Sequence, residues 1–71
     1  MTKTIKGIVR WQNLEMGFFG IQTTKGKEYF PLNLPANLQK DGLSVHLKIE
    51  EIPDAMTTIM WGVPIQILEV L

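Results

Sequence analysis

Ser44 and His46 are the one serine and the one histidine of this chain. They stand two residues apart in "LSVHLKIEE", a segment that alternates apolar and polar residues. Period-two alternation puts both on one strand face, about 7 Å apart. A nucleophilic triad needs a base within hydrogen-bond reach of the nucleophile and a third group to orient that base. Two polar residues spaced along a strand do not supply this, so the pair reads as a solvated face. Glu50 and Glu51 would be a general acid–base pair in another setting, but neighbours in a strand point to opposite faces. Asp54 in the following loop belongs to a solvated rim. Met16, Met56 and Met60 offer thioethers to a soft metal; their plainer role is adaptable apolar filler. With no cysteine and one histidine, no zinc cage of nitrogen and sulfur can be assembled. The glycines of "GFFG" flank aromatic rings rather than a loop of free N–H groups, so no phosphate cradle is expected. These residues predict no enzyme, no metal and no cofactor.

The aromatic residues carry more information. Phe18 and Phe19 are consecutive, as are Tyr29 and Phe30. In strands, one member of each pair must face away from the inner side. If the two strands pair, the outward rings meet on one surface. Arg10, Lys25 and Lys27 stand near these rings in sequence, offset by Glu15 and Glu28. The expected binding surface is therefore Phe18, Phe19, Tyr29, Phe30, Arg10, Lys25 and Lys27. The competing reading has the second ring of each pair covering one end of the fold, as packing rather than recognition.

Strand signals surround these residues. "TIKGIVRWQ" places Ile5, Gly7, Val9 and Trp11 on one side, and Gly7 permits sharp coiling. After a turn at "NLEMG", "GFFGIQTT" and "KEYFPL" form a hairpin about Lys25-Gly26, and Pro31 ends the third strand. In "NLPANLQKDG", Asn33 or Asn37 is expected to cap a short helical turn, with Leu34 and Leu38 on one face. Asp41-Gly42 closes that turn. "LSVHLKIEE" then directs Leu43, Val45, Leu47 and Ile49 inward. The last segment, "TTIMWGVPIQILEVL", is too broken by Gly62 and Pro64 for a helix and too long for a flat strand. Its expected inner set is Ile59, Trp61, Val63, Ile65 and Ile67, with Leu68 and Val70 joining the apolar side after a register shift. "WGVP" reads as a corner where a long strand bends to pair with two neighbours. Three strands, a short helical connection and two strands predict an all-β, five-stranded OB-fold-like barrel, in preference to an SH3-like one.

Residues 1–71 are expected to form one domain, close to the lower size limit for a single core. Seven basic and seven acidic residues leave no net charge, which argues against a dedicated phosphate-backbone binder. No apolar run is long enough to span a membrane, and no signal-peptide pattern opens the chain, so a cytoplasmic location is the default.

The segments "GIVRWQNLEMGFFGI", "KGKEYFPLNLP", "LQKDGLSVHL" and "MWGVPIQI" resemble a small prokaryotic family of uncharacterised OB-like domains, over nearly the whole chain. Its distinctive elements are "LE-x-GF-x-GI" and "MWG-x-P-I-x-I". The family often has a second glycine where Met16 stands here, and some relatives carry export signals that this chain lacks. The resemblance implies the fold and assigns no activity or binding residues. Together these features predict a non-catalytic binding or interaction module for a protein or small ligand. A weak single-stranded nucleic-acid binder, stacking bases at about 1–3 kcal/mol per ring, is the alternative.

Overall fold

The structure, a computed structural model, describes residues 2–14, 17–54 and 61–71. Among these residues run the strands β1 (Thr2–Gln12), β2 (Phe18–Thr23), β3 (Glu28–Pro31), β4 (Ser44–Glu51) and β5 (Val63–Val70). A 3-10 turn at Ala36–Leu38 separates β3 from β4. The strands close into a barrel in the order β1-β2-β3-β5-β4. β3 and β5 run parallel, and every other neighbouring pair is antiparallel. This is the OB-fold-like barrel that the order of strands and helical turn predicts.

β1 closes the barrel by serving two neighbours. Residues 2–8 pair with β4 and residues 7–12 with β2. Gly7 sits at the exchange, opposite both Val45 and Thr23. A Cβ there would lie 2.7 Å from the Gln22 carbonyl oxygen and 2.9 Å from Ile21 Cγ2. Glycine is thus what lets β1 coil onto its neighbours. The interior is filled by Val9, Ile21, Leu47, Ile49 and Ile65, all fully buried, with Ile5, Tyr29, Leu38, Val45 and Ile67 around them. The inner register expected for β4 holds, with Leu43 packed partly buried at its start.

Three expectations need correction. Leu68 and Val70 do not join the apolar side; both are exposed. Lys48 pairs with Glu69 and Ile49 with Ile67, so Leu68 is the extra residue of a bulge. The register shift therefore lies at Leu68 rather than at Pro64, and Val70 returns opposite Leu47 only at the barrel rim. The bend of "WGVP" is at Gly62, which has φ +70° and precedes β5 instead of interrupting it. β5 does pair with two neighbours, β3 over residues 63–65 and β4 over residues 65–70. Ile59 and the three methionines Met16, Met56 and Met60 lie outside the described residues.

Neither Asn33 nor Asn37 caps the 3-10 turn, which follows Pro35 without a side-chain cap. Asn33 instead clasps β5: its Nδ2 donates to the Ile67 carbonyl at 3.1 Å, and its Oδ1 accepts from the Ile67 N–H at 2.8 Å. A side-chain amide carries the same donor and acceptor as a peptide unit, so it can substitute for a missing strand neighbour. Leu38 is buried and Leu34 packs partly buried against the core, as their spacing implies.

Candidate functional site

Three strand ends meet at one end of the barrel: the last residues of β1, the first of β2 and the last of β3. Between them and the segment leading to the 3-10 turn lies a cleft of about 360 Å³. Its walls include Trp11, Phe18, Phe19, Phe30, Leu34 and Gln39, and no charged side chain among the described residues lines it. That volume is at the lower end of the range of small-ligand pockets.

Trp11 is the residue whose placement differs most from its alternation. It was expected in the core with Ile5, Gly7 and Val9, yet it is 48% exposed. β1 outruns the interior here, so the inward direction at Trp11 opens onto the barrel mouth. Its ring meets Phe19 edge-on, with centroids 4.9 Å apart. A Cβ on Gly17 would come 2.4 Å from the indole, so that glycine makes room for it. The Trp11 N–H donates to Asp41 Oδ1 at 2.8 Å, and the Gly42 N–H donates to the Val9 carbonyl at 2.7 Å. The Asp41-Gly42 turn thereby fixes the end of β1 and the base of the indole.

Phe18 and Phe30 are the outward members of their pairs and meet edge-on on the outer face of β2 and β3, centroids 5.3 Å apart. Trp61, expected to point inward, covers the same face. Its ring lies 5.4 Å from Phe18 and fills the space over Gly20, where a Cβ would sit 2.2 Å from the indole. Phe18 is consequently only 8% exposed. On this face one ring is packed beneath the others rather than presented to solvent. A glycine inside an otherwise apolar strand signals such a close approach, and Gly20 was the available pointer to Trp61.

The expected binding residues divide between the two ends of the barrel. Phe18, Phe19 and Phe30 line the aromatic cleft. Tyr29 is an inner residue, 2% exposed, opposite Ile21 in the β2–β3 ladder. With Lys25 and Lys27 it borders a different cleft, of about 390 Å³, at the opposite end. Arg10 is exposed on β1 opposite Gly20 and borders neither cleft. β2 separates the two ends by about 17 Å at strand rise. Leu34 and Gln39 join the first cleft without any sequence signal, because they arrive from the connection after β3. Gln39 Nε2 donates to the Leu34 carbonyl at 3.0 Å, which holds that wall.

At the second end, Lys3 Nζ lies 2.7 Å and Lys27 Nζ 3.7 Å from Glu51 Oε2. Both ammonium groups also approach the Tyr29 ring, at 5.6 and 5.5 Å from its centroid. The hydrogen bond from Lys3 holds the Glu51 carboxyl below its usual range, against the opposing effect of burial. The same bond, with a further contribution from Tyr29, raises Lys3 above its own.

Ser44 and His46 lie along β4 as the alternation predicts and border a third cleft with Lys6, Ile8 and Leu71. No aspartate or glutamate among the described residues lines it. Among the described residues no cluster of three or more His, Asp or Glu is positioned to hold a metal ion. No helix among them is long and apolar enough to cross a membrane. No protein-family model, no curated protein and no solved structure matches this chain.

Proposed function

We propose that the chain is a non-catalytic OB-like binding module that takes a neutral small ligand, or an uncharged segment of a partner protein, in the aromatic cleft. The observation that carries this is Trp11: a large ring, half exposed, fixed through its own backbone by Asp41, in a cleft with no charged lining among the described residues. A rigid, partly exposed indole supplies contact area at low conformational cost. The amide of Gln39 adds polar capacity at the rim. A cytoplasmic location is the default we adopt for the module, with a mature piece of an exported protein as the alternative.

The nucleic-acid alternative needs cations beside the stacking rings. Lys27, the nearer of the two hairpin lysines, stands three residues from Phe30, about 10 Å along the strand, more than a Debye length of about 8 Å at physiological salt, which leaves Arg10, opposite Gly20, as the cation beside the outer rings. A titration followed by backbone amide shifts tests the proposal, using neutral aromatic fragments in one arm and labelled oligothymidylate at low salt in the other. The proposal predicts that fragments shift Gly17, Phe19, Leu34 and Gln39, and that Trp11→Ala abolishes this without unfolding the barrel. Oligonucleotide binding that weakens with salt and is lost on Arg10→Ala, with no fragment binding, would replace it with the nucleic-acid reading.

A further inference from the structure

Four of the chain's seven basic residues converge on the second cleft. Lys3 and Lys6 come from β1, and Lys25 and Lys27 from the β2–β3 connection. Thr4, Thr23 and Thr24 stand between them, and Tyr29 and Ile5 form the floor. Glu51 engages two of these ammonium groups, Lys3 and Lys27. Lys6 and Lys25 make no ion pair among the described residues. The remainder of this neutral chain therefore holds three basic residues against six acidic ones. Glu28, next to the cleft in sequence, is engaged by the side-chain amide of Gln22 at 3.3 Å.

Lys3 Nζ and Lys27 Nζ reach the same Glu51 oxygen, at 2.7 and 3.7 Å, so these two ammonium groups stand within one Debye length of each other at physiological salt, and Lys6 and Lys25 line the same cleft of about 390 Å³. Like charges gathered within that distance repel one another, and a merely solvated rim would spread them or alternate them with carboxylates. We propose that this cleft is a second binding site, for the phosphate end of a small molecule carrying two adjacent phosphate groups. Lysine suits that ligand because it acts as a mobile point charge toward phosphate oxygen. Two adjacent phosphates carry enough negative charge to answer Lys6 and Lys25 while Lys3 and Lys27 remain shared with Glu51. Of the threonine hydroxyls, Thr23 Oγ1 is engaged within its own turn, accepting from the Lys27 N–H at 3.2 Å. Thr4 and Thr24 are the hydroxyls placed to donate to the ligand. Among the described residues the one aromatic ring at the cleft, Tyr29, is buried and offers no face for a base to stack on. Recognition thus rests on the phosphates alone, and the site is independent of the aromatic cleft at the other end.

The test is a titration of the whole chain with inorganic pyrophosphate and, separately, with adenosine diphosphate, followed by amide shifts at low salt. Both ligands should shift Lys6, Thr24, Lys25 and Tyr29 and saturate with affinities within about threefold of each other. The double variant Lys6→Gln/Lys25→Gln, altered only at exposed positions, should keep its melting temperature and weaken pyrophosphate at least tenfold. Trp11→Ala should leave pyrophosphate binding unchanged. Binding of adenosine diphosphate without binding of pyrophosphate would overturn the proposal. So would non-saturating shifts spread equally to Lys40 and Lys48, or pyrophosphate binding that the double variant retains.

Discussion

Asn33 is a surface residue by type, yet the clasp it forms on β5 predicts that two small changes there are costly and distinguishable. Asn33→Ala removes the donor to the Ile67 carbonyl and the acceptor for the Ile67 N–H. Each bond contributes about 0.5–1.5 kcal/mol net, so the expected loss is about 1–3 kcal/mol. For a chain of this length the total stability is about 4–10 kcal/mol, and the loss is a sizeable part of it. Asn33→Asp keeps the shape and the acceptor but sets a carboxylate oxygen against the Ile67 carbonyl. That contact disfavours the charged form, so the folded carboxyl pKa rises above its unfolded value of about 3.9. A group whose folded pKa is raised favours the fold fully below the unfolded pKa, and that contribution disappears as pH rises through the folded one. The aspartate variant should therefore approach the wild type near about pH 3 and match the alanine variant near neutrality. Urea unfolding of the three proteins at both pH values is the assay. If both variants unfold within about 0.3 kcal/mol of the wild type at neutral pH, the clasp contributes nothing of the expected size. An aspartate variant that loses ground on acidification, relative to wild type, would show the sign to be wrong.

Leu47 is fully buried at the centre of β4, so Leu47→Ala should cost about 2–5 kcal/mol, read as a lower urea midpoint at unchanged slope. Gly62→Ala meets two penalties, a left-handed φ of +70° and a Cβ 2.9 Å from the Glu28 carbonyl oxygen. Gly26 has φ +82° with open space around it, so Gly26→Ala should cost only the conformational part, about 1–2 kcal/mol, and Gly62→Ala clearly more. The depressed Glu51 carboxyl stabilises the fold above its unfolded pKa, and this contribution is lost as pH falls through the folded one. Glu51→Gln should flatten that acid limb of a stability-against-pH curve, and salt should damp the difference because the pair is partly exposed.

Most of the barrel is legible in the residues, because period-two alternation is a direct record of which side each strand buries. Val9, Val45, Leu47, Ile65 and Ile67 are all buried on the faces their alternation assigns. The signal fails where a strand outruns the core. Trp11 keeps its phase but reaches the open mouth, and β5 shifts its register at Leu68 through a bulge that no Gly or Pro announces. The aromatic pairs show the same limit. Adjacency correctly sends one ring of each pair outward, and these are Phe18 and Phe30, but it reveals neither which ring that is nor that Trp61 closes over Phe18 from another part of the chain. Tyr29 parts from Phe30 because consecutive strand residues face opposite sides, and the lysines part from Phe18 and Phe19 because they stand at the other end of the β2–β3 hairpin. Leu34, Gln39 and the Asn33 clasp depend on the path of an irregular connection, and periodicity carries no information about that path.

The central claim is that Trp11 at the barrel mouth is the contact surface for a neutral ligand. Fluorotryptophan incorporated at both tryptophans gives one fluorine resonance for Trp11 and one for Trp61, assigned by Trp61→Phe. Titrating in the neutral aromatic fragments should shift the Trp11 resonance along a saturating curve while the Trp61 resonance, packed over Gly20, stays nearly fixed. Saturable fragment binding that moves the Trp61 resonance and leaves that of Trp11 in place would contradict the account.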